Sequence, residues 1–453
     1  MHGTGRMNLT LSLRQHHNLR LGGRISGGES FPATNAWSHV MYHEVTGCRL
    51  CDGGELQTLI ELGDQCLTGV FPRSRDEEIT RGPLTLGRCP DCGLVQLLHS
   101  YEPAELYGDN YGYRSGLNRS MVEHLQSTVA GLQTFLTLKP GDLILDIGSN
   151  DGTTLSSYVA DQFNLVGFDP SGEKFREYYR SDVRLIPEFF SADRFRGEFG
   201  DGARARLITS LAMFYDLEDP LGFMREIESI LADDGLWHFE QSYLPAMLAA
   251  NAYDTICHEH LEYYGVEQIK WMTERAGLKI VAIGCNGTNG GSFAVTVSKR
   301  DGPMPENTAV IEQFLESERS RGLATRAPYD AFRDRVFRHR DALIDRLNQY
   351  KRDGRKVVGY GASTKGNVLL QFCGIDERLI PCIADVNERK FGCFTPGTKI
   401  PIVSEAEARA LKPDCMLVLP WHFKANLLAR EADYLAGGGA MLFPLPEILE
   451  VTR

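Results

Sequence analysis

Two short cysteine pairs, Cys48-Arg-Leu-Cys51 and Cys89-Pro-Asp-Cys92, constrain the front of this chain more than any other feature. Cysteines at i and i+3 set two thiolates on one tight turn, and two such turns complete a tetrahedron around one ion. All four ligands would be sulfur, with no position left open for a reacting molecule, so the pattern points to structural zinc held by Cys48, Cys51, Cys89 and Cys92. Thirty-seven residues separate the pairs, more than in a common zinc ribbon, so the second pair has to be returned by the fold.

Behind the cysteines the pattern changes to strand, turn and helix in repetition. Residues 115–137 place Leu117, Met121, Leu125, Val129 and Leu132 at helical spacing. Leu143-Ile-Leu-Asp-Ile147, Leu165-Val-Gly-Phe-Asp169, Arg206-Leu-Ile-Thr-Ser210 and Gly235-Leu-Trp-His-Phe-Glu240 read as buried strands, and 280–283 with 292–297 as a later antiparallel pair. A second unit begins at Lys356-Val-Val-Gly-Tyr-Gly-Ala-Ser-Thr-Lys365, after charged helices over 303–352 with a break near Ala327-Pro328. Alternation of this kind implies an α/β fold, a Rossmann-like domain with a mostly parallel sheet and a second such domain behind it. The expected organisation is a disordered extension over 1–40, a zinc-binding module over 41–112, a cofactor-binding catalytic domain over 113–302, and connecting helices with a second Rossmann-like domain over 303–453.

Composition bounds the function. A net charge of −12 disfavours sequence-independent binding to nucleic acid. No apolar run is long enough to cross a bilayer. Seven of the eleven cysteines are scattered outside the pairs without a disulfide framework, which suits a reducing cytoplasm. The first 40 residues lack the apolar core of a secretory signal and read as an extension, a transit peptide or the product of an early start codon, with Met41 as the alternative start. Nothing sets the oligomeric state, and a monomer suffices.

Three motifs carry chemistry. In Asp146-Ile-Gly-Ser-Asn-Asp-Gly152, Gly148 and Gly152 let the backbone turn sharply after a strand and approach a ligand closely. Asp169 ends the next strand, where a carboxylate can accept ribose hydroxyls. The spacing departs from Gly-x-Gly-x-x-Gly and no Walker lysine follows, so the turn suits a cofactor without phosphate, S-adenosylmethionine. Phe189-Phe-Ser191, with Phe190, is a candidate border for the adenine or simply core. In Cys257-His-Glu-His-Leu-Glu-Tyr-Tyr264 two imidazoles, two carboxyls and two phenols fall within eight residues, a density suited to proton transfer. Gly359-Tyr-Gly-Ala-Ser-Thr-Lys-Gly-Asn367 offers amides, the hydroxyls of Ser363 and Thr364, and Lys365 at a helix start, a site for a diphosphate.

Taken together with Tyr107-Gly-Asp-Asn-Tyr-Gly-Tyr113, Ala212-Met-Phe-Tyr-Asp-Leu-Glu-Asp219, Asn289-Gly-Gly-Ser-Phe293 and Pro420-Trp-His-Phe-Lys424, these stretches make the chain resemble, from Cys48 to its end, the bacterial sugar C-methyltransferases. That resemblance implies transfer of methyl from S-adenosylmethionine to a carbon beside the ketone of a nucleotide-diphosphate-linked keto-deoxysugar. His260, oriented by Glu259, is the expected base, with His258 its rival. A phenol of Tyr111 or Tyr113, or the His258 imidazole, is expected at the enolate oxygen. Asp146, Gly148, Asn150, Gly152 and Asp169 are expected at the cofactor, and Tyr264, Asn289, Ser363, Thr364, Lys365 and Asn367 at the substrate. Two other readings fit the residues: a zinc-containing methyltransferase of another small molecule, RNA or protein, and a non-catalytic binding protein.

Overall fold

The computed structural model describes residues 42–108 and 111–453, so the extension expected over 1–40 lies outside the described residues. A seven-stranded sheet forms the centre, from β1 (Leu143–Ile147), β2 (Asn164–Phe168), β3 (Val183–Ile186), β4 (Ala205–Leu211), β5 (Leu231–Ser242), β6 (Leu278–Asn286) and β7 (Ser292–Lys299). Its order is 3-2-1-4-5-7-6, parallel throughout except that β7 runs antiparallel to β5 and β6. The strands that carry the continuous apolar runs in the sequence are the interior ones, buried on both faces by helices, as a parallel sheet requires. The expected helix over 115–137 is a 3-10 turn at Ser115–Leu117 followed by α1 (Arg119–Phe135), capped by the Asn118 side chain, which accepts from Ser120 N.

The second unit has β8 (Val357–Tyr360), β9 (Ile383–Asp385), β10 (Ile402–Ser404), β11 (Cys415–Val418), β12 (Ala440–Phe443) and β13 (Leu449–Val451), in the order 10-9-8-11-12-13. Only β13 is antiparallel. Helices α2 (Thr308–Ser320) and α3 (Ala327–Arg352) connect the two sheets, and α4 (Thr364–Phe372) follows β8.

The cysteine-bearing front folds as an antiparallel sheet of Gln57–Cys66, Arg81–Arg88 and Val95–Leu97, whose fourth strand, Glu262–Tyr263, comes from the catalytic part of the chain. One apolar core runs from Leu84 and Leu97 of this sheet through Tyr253 and Ile256 to Leu369 and Val418 of the second unit. The parts are therefore fused through shared side chains. Among the described residues no helix is long and apolar enough to cross a membrane.

Candidate active site and zinc centre

Fold brings the cysteine pairs together as their spacing demanded. All four sulfurs lie within 4.8 Å of one another, with Cys48 Sγ 3.5 Å from Cys92 Sγ and Cys51 Sγ 3.6 Å from Cys89 Sγ. Zinc–sulfur bonds of about 2.3 Å in a tetrahedron separate the sulfurs by about 3.8 Å, so the set fits zinc closely. Between the first two ligands Arg49 is buried, donating to Leu97 O at 2.7 Å, Ser100 Oγ at 2.6 Å and Glu218 Oε2 at 3.1 Å, with Glu262 Oε1 at 3.6 Å.

At the carboxyl end of β1 the chain turns through Gly148 (φ 79°) and Gly152 (φ 74°). A Cβ at Gly148 would sit 3.0 Å from Met213 Cγ, and one at Gly152 2.9 Å from Tyr179 Cδ1, so the turn admits no larger residue. Asp169, at the end of β2, accepts Asn150 N at 2.8 Å through one oxygen and Ser171 N and Oγ at 2.7 and 2.6 Å through the other. Asn150 in turn accepts Ser115 N at 2.9 Å, which ties the segment before α1 to this loop. Asp146 is buried beneath the loop and accepts Thr209 Oγ1 at 2.6 Å; burial pushes its carboxyl up to about 7. The Phe190 ring is partly buried and packs edge-on against Phe168, the residue before Asp169, and against Phe223. The neighbouring Phe189 is the exposed ring (55%), and it meets Tyr107.

The histidine cluster lies on the same edge of the sheet. Leu261 N donates to Tyr215 O just beyond β4, and the His260 ring packs on Tyr215 at 4.1 Å. Met213, two residues earlier than Tyr215, is the residue in contact with Gly148. His260 Nδ1 is 2.9 Å from Thr255 O. A carbonyl only accepts, so Nδ1 carries the proton and Nε2 is the basic nitrogen. Burial, with the Lys365 ammonium adding to it, holds this imidazole down to about 3, neutral at physiological pH.

Glu259 does not orient His260, contrary to expectation. Its Oε2 accepts Thr68 Oγ1 at 3.2 Å, and its Oε1 would lie 2.2 Å from a Cβ at Gly69, so the loop between the first two strands of the zinc-bearing sheet abuts it directly. Burial raises its affinity for a proton. His258 is also displaced from its expected role: fully buried, it packs edge-on against Tyr101 at 4.6 Å among the front sheets. Tyr264 is core, stacked on Phe214 at 5.5 Å. The chain turns at 258–259, where His260 N donates to Cys257 O at 3.1 Å, so His258 and His260 leave it toward different neighbours and sequence proximity overstated how many side chains face one space.

Tyr111 faces the cluster. Its ring meets Tyr107 edge-on at 5.5 Å; burial raises its phenol well above the usual range, and the carboxyls of Asp169, Asp216 and Glu259 add to the rise. Tyr113 leaves 44% of its surface exposed and pairs with Ser115. Two residues stood in quoted motifs without an assigned role: Asp216, after β4, and Tyr107, whose hydroxyl donates to Asp216 Oδ2 at 2.8 Å.

From the second unit, Lys365 on the first turn of α4 donates to Asn289 O at 2.9 Å at the tip of the β6–β7 hairpin. Burial lowers its pKa while Asp254 and Cys257 oppose the fall. Ser363 caps α4, accepting Gly366 N at 3.0 Å, and Thr364 Oγ1 comes within 3.7 Å of the Cβ position at Gly69. Asn367 is instead fully buried and donates to Thr68 O at 2.8 Å, holding α4 against the front loop. Asn289 contributes its carbonyl, from a left-handed backbone (φ 54°).

A glycine-turned parallel sheet with acids at the ends of β1 and β2 defines an S-adenosylmethionine-dependent methyltransferase. Three family models match in succession: a zinc binding domain over 48–107, a methyltransferase domain over 121–283, and a C-methyltransferase C-terminal domain over 287–446. The C-methyltransferase NovU of Streptomyces niveus is 31% identical over 402 residues, 88% of this chain and 95% of NovU. The chain belongs to this C-methyltransferase family, and its four-cysteine group is that family's zinc-binding domain. Among solved structures, the magnesium protoporphyrin IX methyltransferase ChlM of Synechocystis PCC 6803 with bound SAH is 15% identical, covering 40% of this chain and 88% of its own (TM-score 0.31). The plantazolicin methyltransferase BpumL in complex with SAH is 13% identical, covering 39% and 82% (TM-score 0.32).

Proposed function

We propose that the enzyme methylates the carbon beside the ketone of a nucleotide-diphosphate-linked keto-deoxysugar, with His260 as the base. The observation that carries this reading is the fixed tautomer of His260: Thr255 O accepts a hydrogen bond from Nδ1–H, so Nε2 is the unprotonated nitrogen of a ring packed on Tyr215. The turn at Gly148 and Gly152, with Asp169, would hold S-adenosylmethionine, which would supply an electrophilic methyl and leave as S-adenosylhomocysteine. The carbon it meets is not nucleophilic until it loses a proton. His260 Nε2 takes that proton, and the C–H electron pair moves into the enolate, whose oxygen accepts a hydrogen bond from the Tyr111 phenol.

A base so depressed in pKa needs help, and two features supply it. The Tyr111 phenol lowers the energy of the enolate. A diphosphate paired with Lys365 neutralises the ammonium that helps to depress His260, so substrate binding strengthens the base. Similarity to NovU over most of both chains supports carbon as the acceptor.

Mass spectrometry of a panel of nucleotide-linked keto-sugars incubated with labelled cofactor tests the substrate: gain of one carbon-bound methyl is expected, and none across the panel refutes it. His260→Ala is expected to keep cofactor binding and lose about 10²–10⁴-fold in kcat. In deuterated buffer the wild type should exchange the hydrogen beside the ketone and the variant should not; normal methylation by the variant removes His260 as the base.

A further inference from the structure

The step proposed above creates a charge that the site has to hold. The proton leaves carbon for His260 Nε2, the C–H electron pair becomes the enolate, and a neutral ring turns into an imidazolium. His260 is only 9% exposed, so water solvates that cation poorly. Lys365 of α4, the charged side chain that bears on it, is itself a cation and opposes the new charge. The Thr255 carbonyl is already engaged by Nδ1–H before the proton arrives.

Tyr215 is placed to answer this. Its ring centroid lies 4.1 Å from that of His260, at an interplanar angle of 48°, and the residue is 6% exposed. An aromatic face is the negative side of the ring. It attracts a cation within about 6 Å of its centroid, more strongly where water is excluded. Burial raises the Tyr215 phenol well above its usual range, so the hydroxyl keeps its proton and the ring stays neutral.

The pair is fixed by its surroundings. Leu261 N donates to Tyr215 O at 2.8 Å, and Phe214 stacks on Tyr264 at 5.5 Å. Two adjacent aromatic residues on the turn Phe214–Asp216 thus clamp the segment 260–264 to the end of β4. The Thr255 bond sets which edge of the imidazole carries the proton, and the Tyr215 ring sets the plane in which the imidazole lies.

We propose that Tyr215 is a positioning residue for the reaction: its ring face holds the His260 imidazole in place and stabilises the imidazolium formed when His260 takes the proton. The assignment rests on His260 as the base and extends that reading to the group that makes its protonation tolerable. The ring does this work, and the hydroxyl is not required.

Substitutions at 215 in the full chain test it, with the nucleotide-linked keto-sugar methylated in the panel above as substrate. Two rates are read: kcat, and entry of solvent deuterium beside the ketone in the presence of S-adenosylhomocysteine, which isolates proton abstraction. Tyr215→Leu should lose about tenfold or more in both, with KM and cofactor affinity within twofold of wild type. Tyr215→Phe, which restores the ring, should recover most of the loss. A shape-preserving series separates charge from packing: phenylalanine analogues with one, two and three ring fluorines at position 215 drain the negative face stepwise, and log kcat should fall in step. If the fluorinated series turns over like Tyr215→Phe, or if Tyr215→Phe falls as far as Tyr215→Leu, the assignment is wrong. Loss of exchange in His260→Ala with wild-type rates across the 215 series removes Tyr215 alone and leaves the base in place. Wild-type exchange by His260→Ala takes both readings down together.

Discussion

Asp146 is a carboxyl buried beneath the cofactor turn. Burial raises it to about 7 in the absence of ligand. S-adenosylmethionine brings a sulfonium and an ammonium, and a cation nearby favours the ionised carboxylate. Below pH 7 the free enzyme holds the proton that the complex must release, so cofactor affinity should rise as pH increases from 6 to 8. Calorimetry at pH 6 in two buffers of different ionisation enthalpy should show net proton release; a flat affinity with no release would detach Asp146 from the cofactor. Residues of this kind were legible because they sit at the ends of apolar strands beside glycines. Glu259, His260 and Lys365 were legible too, from dense local motifs. Their partners were not: Glu259 is held by Thr68, 191 residues away, and no local pattern encodes that contact. Nor could composition separate Tyr111, which faces the cluster, from Tyr264, which is core, because a phenol serves both roles.

At the scale of elements, the loop after Gln57–Cys66 is the least expected contributor to the site. Thr68 bonds Glu259 and, through its carbonyl, Asn367 of α4, while Gly69 allows the Glu259 carboxyl to approach the backbone. Gly69→Ala would put a methyl 2.2 Å from Glu259 Oε1, so the carboxyl has to move. Overpacking of this sort costs roughly 1–3 kcal/mol. We expect turnover to fall about tenfold or more with cofactor affinity retained, measured by kcat and by calorimetry; wild-type turnover would free Glu259 from any need for its present place. The strands of both parallel sheets could be read in advance because each is an apolar run bounded by turn residues. The two-residue strand Glu262–Tyr263 could not, since it exists only through pairing with Val95 and Gln96.

For the whole molecule, Arg49 links the zinc-bearing turn to the segments that carry Asp216 and His260. Arg49 stands between Cys48 and Cys51 in the chain, and its guanidinium reaches Glu218 and Glu262, two residues after Asp216 and His260. Removal of zinc by a strong chelator is expected to lower the unfolding temperature and abolish methyl transfer, because metal binding in such modules is folding free energy. Arg49→Met removes the cation beside the buried Glu262 carboxyl together with the donors to Leu97 O and Ser100 Oγ. Thermal unfolding and turnover of zinc-loaded Arg49→Met should both fall; an unchanged melting temperature would show that the pair holds nothing together.

The borrowed strand Glu262–Tyr263 has a consequence for anyone who would recombine such enzymes. A fragment ending near residue 110 would leave Val95–Leu97 with a bare edge, an invitation to pair with a neighbouring chain and precipitate. A chimera that takes its front from one parent must take residues 254–264 from the same parent. Swapping specificity by shuffling segments at the apparent joints is therefore a poor strategy; the productive seams run through space, across the sheet, and not along the chain.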